Sequence, residues 1–305
     1  MTEFRSGFAC LVGRPNTGKS TLTNALVGSK VAITSSRPQT TRHMIRGIVH
    51  RKDFQIILVD TPGLHRPRTL LGKRLNDLVR DTYAEVDAIG LCIPADEAIG
   101  PGDRWIVDQI HSVAPTTTLL VVVTKIDKVA KDKLAAQLAA VGELIGLNDG
   151  RQAEIVPVSA VTGEQIDVLI DVLAAALPPG PAYYPDGELT DEPEEVLMAE
   201  FIREAALEGV RDELPHSLAV VIDEVNPREG RDDLIDVHAV LYVERESQKG
   251  IVIGKGGARL REVGSAARGQ IEKLLGTKVY LDLHIKIAKD WQRDPKQLRR
   301  LGFYD

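Results

Sequence analysis

The chain has 305 residues, of which 43% are hydrophobic, and a formal net charge of −6. This length is sufficient for two domains with separate cores. The two cysteines, Cys10 and Cys92, lie within apolar strand patterns and lack metal-ligand spacing, which argues against a disulfide framework and favours a reducing compartment. The first six residues are polar and no run approaches about 18 apolar residues, so the sequence predicts neither a signal peptide nor a membrane span.

The first predicted strand, residues 8–12, leads into a glycine-rich loop at residues 13–20 and then a helical pattern over 21–27. The loop reads GRPNTGKS. Gly13 and Gly18 let successive backbone N–H groups turn toward an oxyanion, and the helix adds its positive end. Lys19 can reach the β and γ phosphates, and Ser20 offers a hydroxyl ligand to Mg²⁺. The sequence therefore predicts a nucleotide phosphate site, in which we also include Asn16, Thr17 and Thr21.

A near-continuous apolar run at residues 54–59 predicts a buried strand that ends on Asp60. A carboxylate at the end of this strand is suited to hold the metal through a water molecule. Gly63, three residues later, allows a backbone N–H to approach a γ phosphate. We therefore assign both residues to the predicted nucleotide site, with Asp60 as a metal ligand.

Two further predicted strands, residues 118–123 and 154–158, end on motifs that can select a base. The first ends on Thr124 and Lys125, and Asp127 follows. The Asp127 carboxylate can accept both N–H groups on the edge of guanine, an arrangement that adenine cannot reproduce. After the second strand, the small residues Ser159 and Ala160 let a backbone N–H meet the guanine oxygen. Together the motifs predict a guanine nucleotide.

Residues 1–176 resemble a small GTPase domain of the translation-factor-related class. The resemblance implies an α/β fold, with a mostly parallel six-stranded sheet and helices on both faces. It also implies a switch loop over residues 38–42 that supplies a threonine to Mg²⁺, which we assign to Thr41 with Thr40 as the alternative. The alternative interpretation is that the two threonines begin a strand that continues over 44–50, since β-branched residues favour strands. Lys19, Thr41 and Gly63 are the expected catalytic residues.

Leu64 departs from the Ras-like pattern, because Ras-like GTPases have a water-positioning glutamine there. Leucine cannot hydrogen-bond a water, so we expect slow intrinsic turnover and a site completed by a partner or a monovalent cation. Asn16 matches an asparagine with which similar bacterial GTPases hold K⁺; its alternative role is to cap the turn. We expect His65 to be exposed and not catalytic.

Residues 177–195 break the helical pattern of 166–176 with five prolines and then turn acidic, which predicts a linker. Charge is segregated beyond it. Residues 186–248 contain 19 acidic and 5 basic residues, whereas residues 249–300 contain 13 basic and 5 acidic ones. A segregated basic segment is typical of a polyanion-binding surface, although an ordinary solvated face would give the same count.

The second domain, residues 196–305, is predicted as helix, strand, strand, helix, the loop Gly254–Gly257, helix and strand. This order resembles the RNA-binding KH module of the prokaryotic type II, a smaller α+β fold. Gly254 and Gly257 let the backbone approach a single-stranded nucleotide chain, and Lys255 can meet a phosphate. The predicted RNA-contacting residues are Ile251, Ile253, Gly254, Lys255, Gly256, Gly257, Arg259 and Arg261.

With both domains, the whole chain resembles the bacterial Era family, whose C-terminal pattern is also present at residues 288–302. The resemblance implies a cytoplasmic GTPase that binds GTP, GDP and Mg²⁺ and contacts the 3′ end of 16S ribosomal RNA during assembly of the 30S subunit. We expect a monomer. Two alternatives stay open: an assembly factor with a structural nucleotide, and a signalling GTPase peripheral to the inner face of the cell membrane. The sequence has no amphipathic or lipidation signal for the membrane.

Overall fold

A computed structural model describes residues 3–34, 44–62, 69–146, 153–208 and 217–303. The chain divides into two compact units. The first comprises residues 1–32, 41–66 and 75–191, and the second comprises 33–40, 67–74 and 192–305. Among the described residues, no helix is both long enough and apolar enough to cross a membrane.

The first unit is built on a six-stranded sheet. Its strands are β1 (Arg5–Val12), β2 (Ile45–Arg51), β3 (Phe54–Asp60), β4 (Ala88–Pro94), β5 (Thr118–Thr124) and β6 (Glu154–Pro157). They lie in the order β2-β3-β1-β4-β5-β6, and only the β2-β3 pair is antiparallel. The continuous apolar runs predicted from the sequence are these strands, because a parallel sheet is buried on both faces. The predicted mostly parallel α/β fold is confirmed.

Helices cover both faces of this sheet. They are α1 (Lys19–Val27), α2 (Leu70–Glu85), α3 (Pro101–Val113), α4 (Lys131–Leu144) and α5 (Ile166–Ala176). Buried residues of α1 and α5, such as Leu22 and Leu169, pack with Leu11 and Val122 on one face. On the other face, α2, α3 and α4 pack against alternate residues of the same strands. This arrangement leaves the carboxyl ends of the strands to carry the loops that bind ligands.

The stretch predicted as a linker is hydrogen-bonded to the first unit along much of its length. The Gln55 side chain, which is fully buried, accepts from the backbone N–H groups of Tyr183 and Tyr184 at 2.7 and 3.0 Å. Isolated bridges join Arg5 to Pro179 and Gly47 to Thr190. These contacts give the proline-rich chain a fixed course that its composition alone does not predict.

The second unit contains a three-stranded sheet of β7 (Ala219–Arg228), β8 (Arg231–Val243) and β9 (Lys278–Ile287), in that order. β7 and β8 are antiparallel, whereas β8 and β9 are parallel. In the described part of this unit, the helices are α6 (Glu194–Leu207), α7 (Glu246–Ile253), α8 (Ala258–Leu275) and the short α9 (Pro295–Arg300). This element order and pairing confirm the predicted type II KH topology.

The core of the second unit lies between its sheet and α6, α7 and α8. Phe201 of α6, Val252 of α7 and Ile271 of α8 pack with inward residues of the central strand β8 such as Leu241. Ile33 is buried in the same core. The turn from α7 into α8 is therefore fixed by helices that are packed on both sides of it.

Candidate guanine nucleotide site and RNA-binding loop

The loop between β1 and α1 has a backbone that requires glycine at its first position. Gly13 has φ +155°, and a Cβ there would lie 2.7 Å from the carbonyl oxygen of Cys92. Gly18 is left-handed, with φ +94°, and is the N-cap of α1. Because glycine has no side chain, the N-cap leaves the first N–H groups of the helix available to a ligand. Because a helix N-terminus presents backbone N–H groups that lack intrahelical partners, this loop is built to receive an oxyanion.

Lys19 lies inside this loop. Its ammonium group donates to the carbonyl oxygens of Gly13 at 3.1 Å and Arg14 at 2.9 Å. Burial lowers the pKa of Lys19, and the negative charge of Asp60 partly opposes that shift. A buried ammonium group gains most from a nearby anion, so the site favours a phosphate.

Ser20 and Asp60, predicted as metal ligands from the phosphate loop and from a strand end respectively, lie next to each other at the end of β3. The Ser20 hydroxyl donates to the Asp60 carboxylate at 2.9 Å. A hydroxyl and a carboxylate are the hard oxygen ligands that Mg²⁺ prefers, so this donor set fits the metal. Thr41, its alternative Thr40, Gly63, Leu64 and His65 lie outside the described residues.

The motif for the base lies beside the phosphate loop. Ser159 donates to the Asp127 carboxylate at 2.6 Å, and the Ser159 hydroxyl also accepts from the backbone N–H of Thr162 at 3.1 Å. This orients the carboxylate predicted to bind guanine. The Thr124 hydroxyl donates to the Thr17 carbonyl oxygen at 2.6 Å, which joins the two motifs directly.

The remaining predicted residues of the site occupy defined places in these elements. Lys125 and Asn16 are both left-handed, with φ +60° and +65°. Asparagine tolerates this conformation better than most residues, which agrees with its proposed role in the turn. Thr21 lies in the first turn of α1, and Ala160 follows Ser159 in the loop after β6.

Three charged residues around the phosphate loop were not in the predicted site. Arg14 donates to Asp103 at 2.8 Å and to Glu97 at 3.2 Å, and Glu97 in turn lies 3.5 Å from the Lys125 ammonium group. Asp103 follows a Gly-Pro start of α3, so the sequence signals a helix cap there. It gives no sign of the contact with Arg14, which lies far away along the chain.

The glycine-rich loop of the second unit turns α7 into α8. Gly254, Gly256 and Gly257 have φ of +70°, +59° and +74°. A Cβ on Gly254 would lie 2.8 Å from that of Arg259, whereas one on Gly256 would meet nothing within 4 Å. Lys255 and Gly256 are exposed, and Ile251 is 53% exposed. The predicted RNA-binding loop is therefore accessible, with an exposed aliphatic side chain beside it.

The two arginines predicted to extend this surface differ in their contacts. The guanidinium of Arg259 donates to the carbonyl oxygens of Ala206, at 3.1 Å, and Glu208. These carbonyls are at the C-terminal end of α6, so Arg259 joins α6 to the start of α8 and is not simply a solvated cation. Arg261 is exposed, and its guanidinium lies 3.6 Å from the position of a Cβ on Gly257.

Comparison with known proteins supports both halves of this description. Residues 8–125 match the family described as 50S ribosome-binding GTPase, and residues 213–292 match the KH domain family. The chain is 86% identical over 303 residues to GTPase Era of Mycolicibacterium paratuberculosis, covering 99% of this chain and 100% of that protein. It is 83% identical to GTPase Era of Mycolicibacterium smegmatis, with the same coverage.

Two solved structures share the fold over their whole length. One is a variant of Era from Aquifex aeolicus bound to GDP and AlF₄⁻, with a TM-score of 0.93 and 35% identity. The other is Era in complex with MgGDPNP and nucleotides 1506–1542 of 16S ribosomal RNA, with a TM-score of 0.91 and 35% identity. Each alignment covers 99% of this chain and 100% of the other.

Proposed function

The chain belongs to the Era family of GTPases, and from this premise we propose that it binds the 3′ end of 16S ribosomal RNA through its KH domain. In this proposal residues 1–176 form the nucleotide domain, 177–195 the linker and 196–305 the RNA-binding domain. The observation that carries the proposal is the accessible Gly254–Gly257 loop, on a chain that aligns end to end with an Era solved on that RNA. The function follows as a GTP-dependent step in assembly of the small ribosomal subunit.

In the nucleotide domain, each group has a separate task. The backbone N–H groups of residues 13–20 and the Lys19 ammonium group bind the phosphates, and Asp127 selects guanine. Ser20 and Asp60 hold Mg²⁺, Asp60 through a water molecule, with Thr41 as the predicted third ligand. When bound, the metal neutralises phosphate charge that would otherwise oppose attack by water. Lys19 and the backbone N–H of Gly63 stabilise the charge that develops on the γ phosphate.

In the RNA-binding domain, the three glycines allow the sugar-phosphate chain to approach the backbone. Lys255 lies at the tip of the loop, where its charge meets a phosphate, and the N-terminus of α8 follows directly. Ile251 and Ile253 supply apolar surface for unstacked bases. Arg261 extends the positive surface, whereas Arg259 acts mainly by holding the end of α6 against the loop.

The test uses one lesion in each domain of the full chain. Gly256→Asp places a carboxylate in the loop, and the matched control Gly256→Asn places a neutral side chain of the same shape there. Both residues tolerate the left-handed backbone, and a Cβ at this position meets nothing within 4 Å. We expect Gly256→Asp to weaken binding of a 16S 3′-end oligonucleotide at least tenfold more than Gly256→Asn, with GTP hydrolysis unchanged.

Lys19→Ala is the corresponding substitution in the nucleotide domain. We expect it to abolish nucleotide binding, while RNA binding in the absence of nucleotide persists. Both affinities are measured by fluorescence titration with labelled GDP and labelled RNA. If Gly256→Asp and Gly256→Asn reduce RNA affinity equally, no RNA phosphate lies close to Gly256 and that part of the proposal is wrong. RNA crosslinks that map nothing to residues 250–262 would favour a protein-binding KH domain in a signalling GTPase.

We also propose that K⁺, held by the Asn16 side chain, completes the catalytic site, because Leu64 stands where Ras-like GTPases have a water-positioning glutamine. Hydrolysis rates measured in KCl and NaCl at equal ionic strength test this. A higher rate in K⁺ that Asn16→Ala removes is the expected result. Equal rates in the two salts would leave Asn16 with its turn-forming role alone.

A further inference from the structure

Arg14, the second residue of the phosphate loop, is held by a carboxylate that is itself fixed. Its Nε donates to Asp103 at 2.8 Å. The other oxygen of Asp103 accepts from the backbone N–H of Gly100 at 2.8 Å, at the start of α3. The Asp103 side chain is only 1% exposed, and the positive end of the helix favours its charge. Asp103 is therefore a rigid anchor for a charge-assisted hydrogen bond.

The backbone of Arg14 contacts the groups expected to bind phosphate. Its carbonyl oxygen accepts from the Lys19 ammonium group at 2.9 Å and from the Thr17 hydroxyl at 3.0 Å. The stem of the Arg14 side chain lies over Gly102, where a Cβ would be 2.9 Å from its Cδ. The contacts that hold the Arg14 side chain therefore also hold its backbone carbonyl, which contacts Lys19 and Thr17 at the start of the loop.

Glu97 extends this arrangement to the base-binding motif. One of its oxygens accepts from Arg14 at 3.2 Å, and the other lies 3.5 Å from the Lys125 ammonium group. The Glu97 backbone carbonyl accepts from Gln137 of α4 at 3.0 Å, which holds the loop after β4 in place. A continuous chain of ionic contacts therefore runs from Asp103 through Arg14 and Glu97 to Lys125.

We propose that Arg14 is a positioning residue, and that the Asp103–Arg14–Glu97–Lys125 chain sets the residence time of the guanine nucleotide. The inference rests on the proposed assignment of residues 13–20 and 124–127 to the nucleotide site. A preorganised loop binds without the entropic cost of ordering its backbone, so loosening it raises the dissociation rate. Arg14 has two carboxylates as partners, and its charge is already used within the protein. It acts through the loop and not on the reacting phosphate.

The test compares Arg14→Ala, Arg14→Lys and Asp103→Asn in the full chain. Asp103→Asn keeps an acceptor for the Gly100 N–H and removes the charge that binds Arg14. We expect GDP to dissociate about tenfold faster from Arg14→Ala in stopped-flow measurements, as loss of one charge-assisted hydrogen bond implies. Arg14→Lys should recover part of this loss, and in all three variants the rate of GDP release should change more than kcat at saturating GTP.

Combining Arg14→Ala with Asp103→Asn should accelerate GDP release no more than Arg14→Ala alone, because both remove the same contact. The control is Arg231→Ala, which breaks the exposed pair with Asp233 in the second unit and should leave GDP release unchanged.

If Arg14→Ala lowers the melting temperature and leaves the rate of GDP release unchanged, Arg14 has only a structural role. A lowered kcat with unchanged release would instead place it in the chemistry. If the unmodified chain fails to bind GDP, the proposed nucleotide site itself is wrong. If the unmodified chain binds GDP and the variants release it at the same rate, only this inference is wrong.

Discussion

At the scale of single residues, selectivity for guanine depends on how firmly one carboxylate is held. Asp127 can discriminate bases only if it keeps its direction when the base arrives. The 2.6 Å hydrogen bond from Ser159 supplies that constraint, and Thr162 fixes Ser159 in turn. A small residue at position 159 was predicted for access of a backbone N–H. The structure adds that its hydroxyl orients the carboxylate that is predicted to bind the base.

We predict that Ser159→Ala weakens GDP binding about tenfold, because an oriented hydrogen bond to a charged group contributes about 1.5 kcal/mol. The sharper measurement is the ratio of GDP to inosine diphosphate affinity, since inosine lacks the amino group that Asp127 is predicted to bind. This ratio should shrink in Ser159→Ala. A ratio equal to that of the unmodified chain, with both affinities reduced, would mean that Ser159 only supports the loop.

At the scale of elements, the strands of the first unit are buried so completely that burial raises the pKa of their thiols. Cys10 of β1 and Cys92 of β4 are both fully buried. Burial raises the pKa of Cys92 from 9.0 to about 12, with a smaller opposing effect from Lys19. Burial also raises the pKa of Cys10. Both cysteines therefore behave as core residues, as their strand patterns predicted.

Because the pKa of each thiol is higher in the folded state than in the unfolded state, the free energy of unfolding falls as the pH rises above 9. Below pH 9 both states hold the thiol proton, and between pH 9 and about 12 only the folded state keeps that of Cys92. We predict that each thiol lowers the free energy of unfolding by about 1.4 kcal/mol between pH 8 and pH 10.

Urea unfolding at the two pH values measures this effect. The decline in stability should be less steep in Cys92→Ala than in the unmodified chain. Val122→Ala, a truncation in the same core without a thiol, is the control and should keep the full decline. Equal declines in all three proteins would show that the Cys92 thiol does not contribute to the loss of stability.

At the scale of the whole molecule, one chain carries a GTPase domain and a KH domain in separate compact units. The net charge of −6 is the sum of a strongly acidic segment at 186–248 and a basic one at 249–300. Beyond residue 185, this segregation places the net positive charge in the segment that contains the Gly254–Gly257 loop. The acidic segment at 186–248 disfavours non-specific binding of RNA, because its negative charge repels a polyanion.

We predict that nucleotide and RNA binding are reciprocally coupled in the full chain. If RNA binds more tightly in the GTP-analogue state than in the GDP state, the same factor must appear in the preference for GTP analogue over GDP when RNA is added. Calorimetric titrations of all four combinations measure both factors. Equal RNA affinity in the two nucleotide states would refute the coupling and leave two independent binding activities on one chain.

The sequence by itself determined the strands that carry the motifs, the phosphate loop, the motif predicted to bind guanine and the order of elements in the second domain. Each of these depends on local spacing: apolar runs for buried strands, glycines for left-handed turns, and short motifs at strand ends. The helix and the strand predicted after the Gly254–Gly257 loop correspond to α8 and β9.

Only the tertiary structure decided which side chains hold those motifs in position. Arg14 and Asp103 are 89 residues apart, Gln55 and Tyr183 are 128 apart, and Arg259 meets a carbonyl 53 residues earlier in the chain. No local pattern encodes such pairs, because a hydrogen bond depends on distance in space and an arginine near a glycine loop has many possible partners. Folding brings one of them within reach, and burial then excludes the water that would otherwise compete for it.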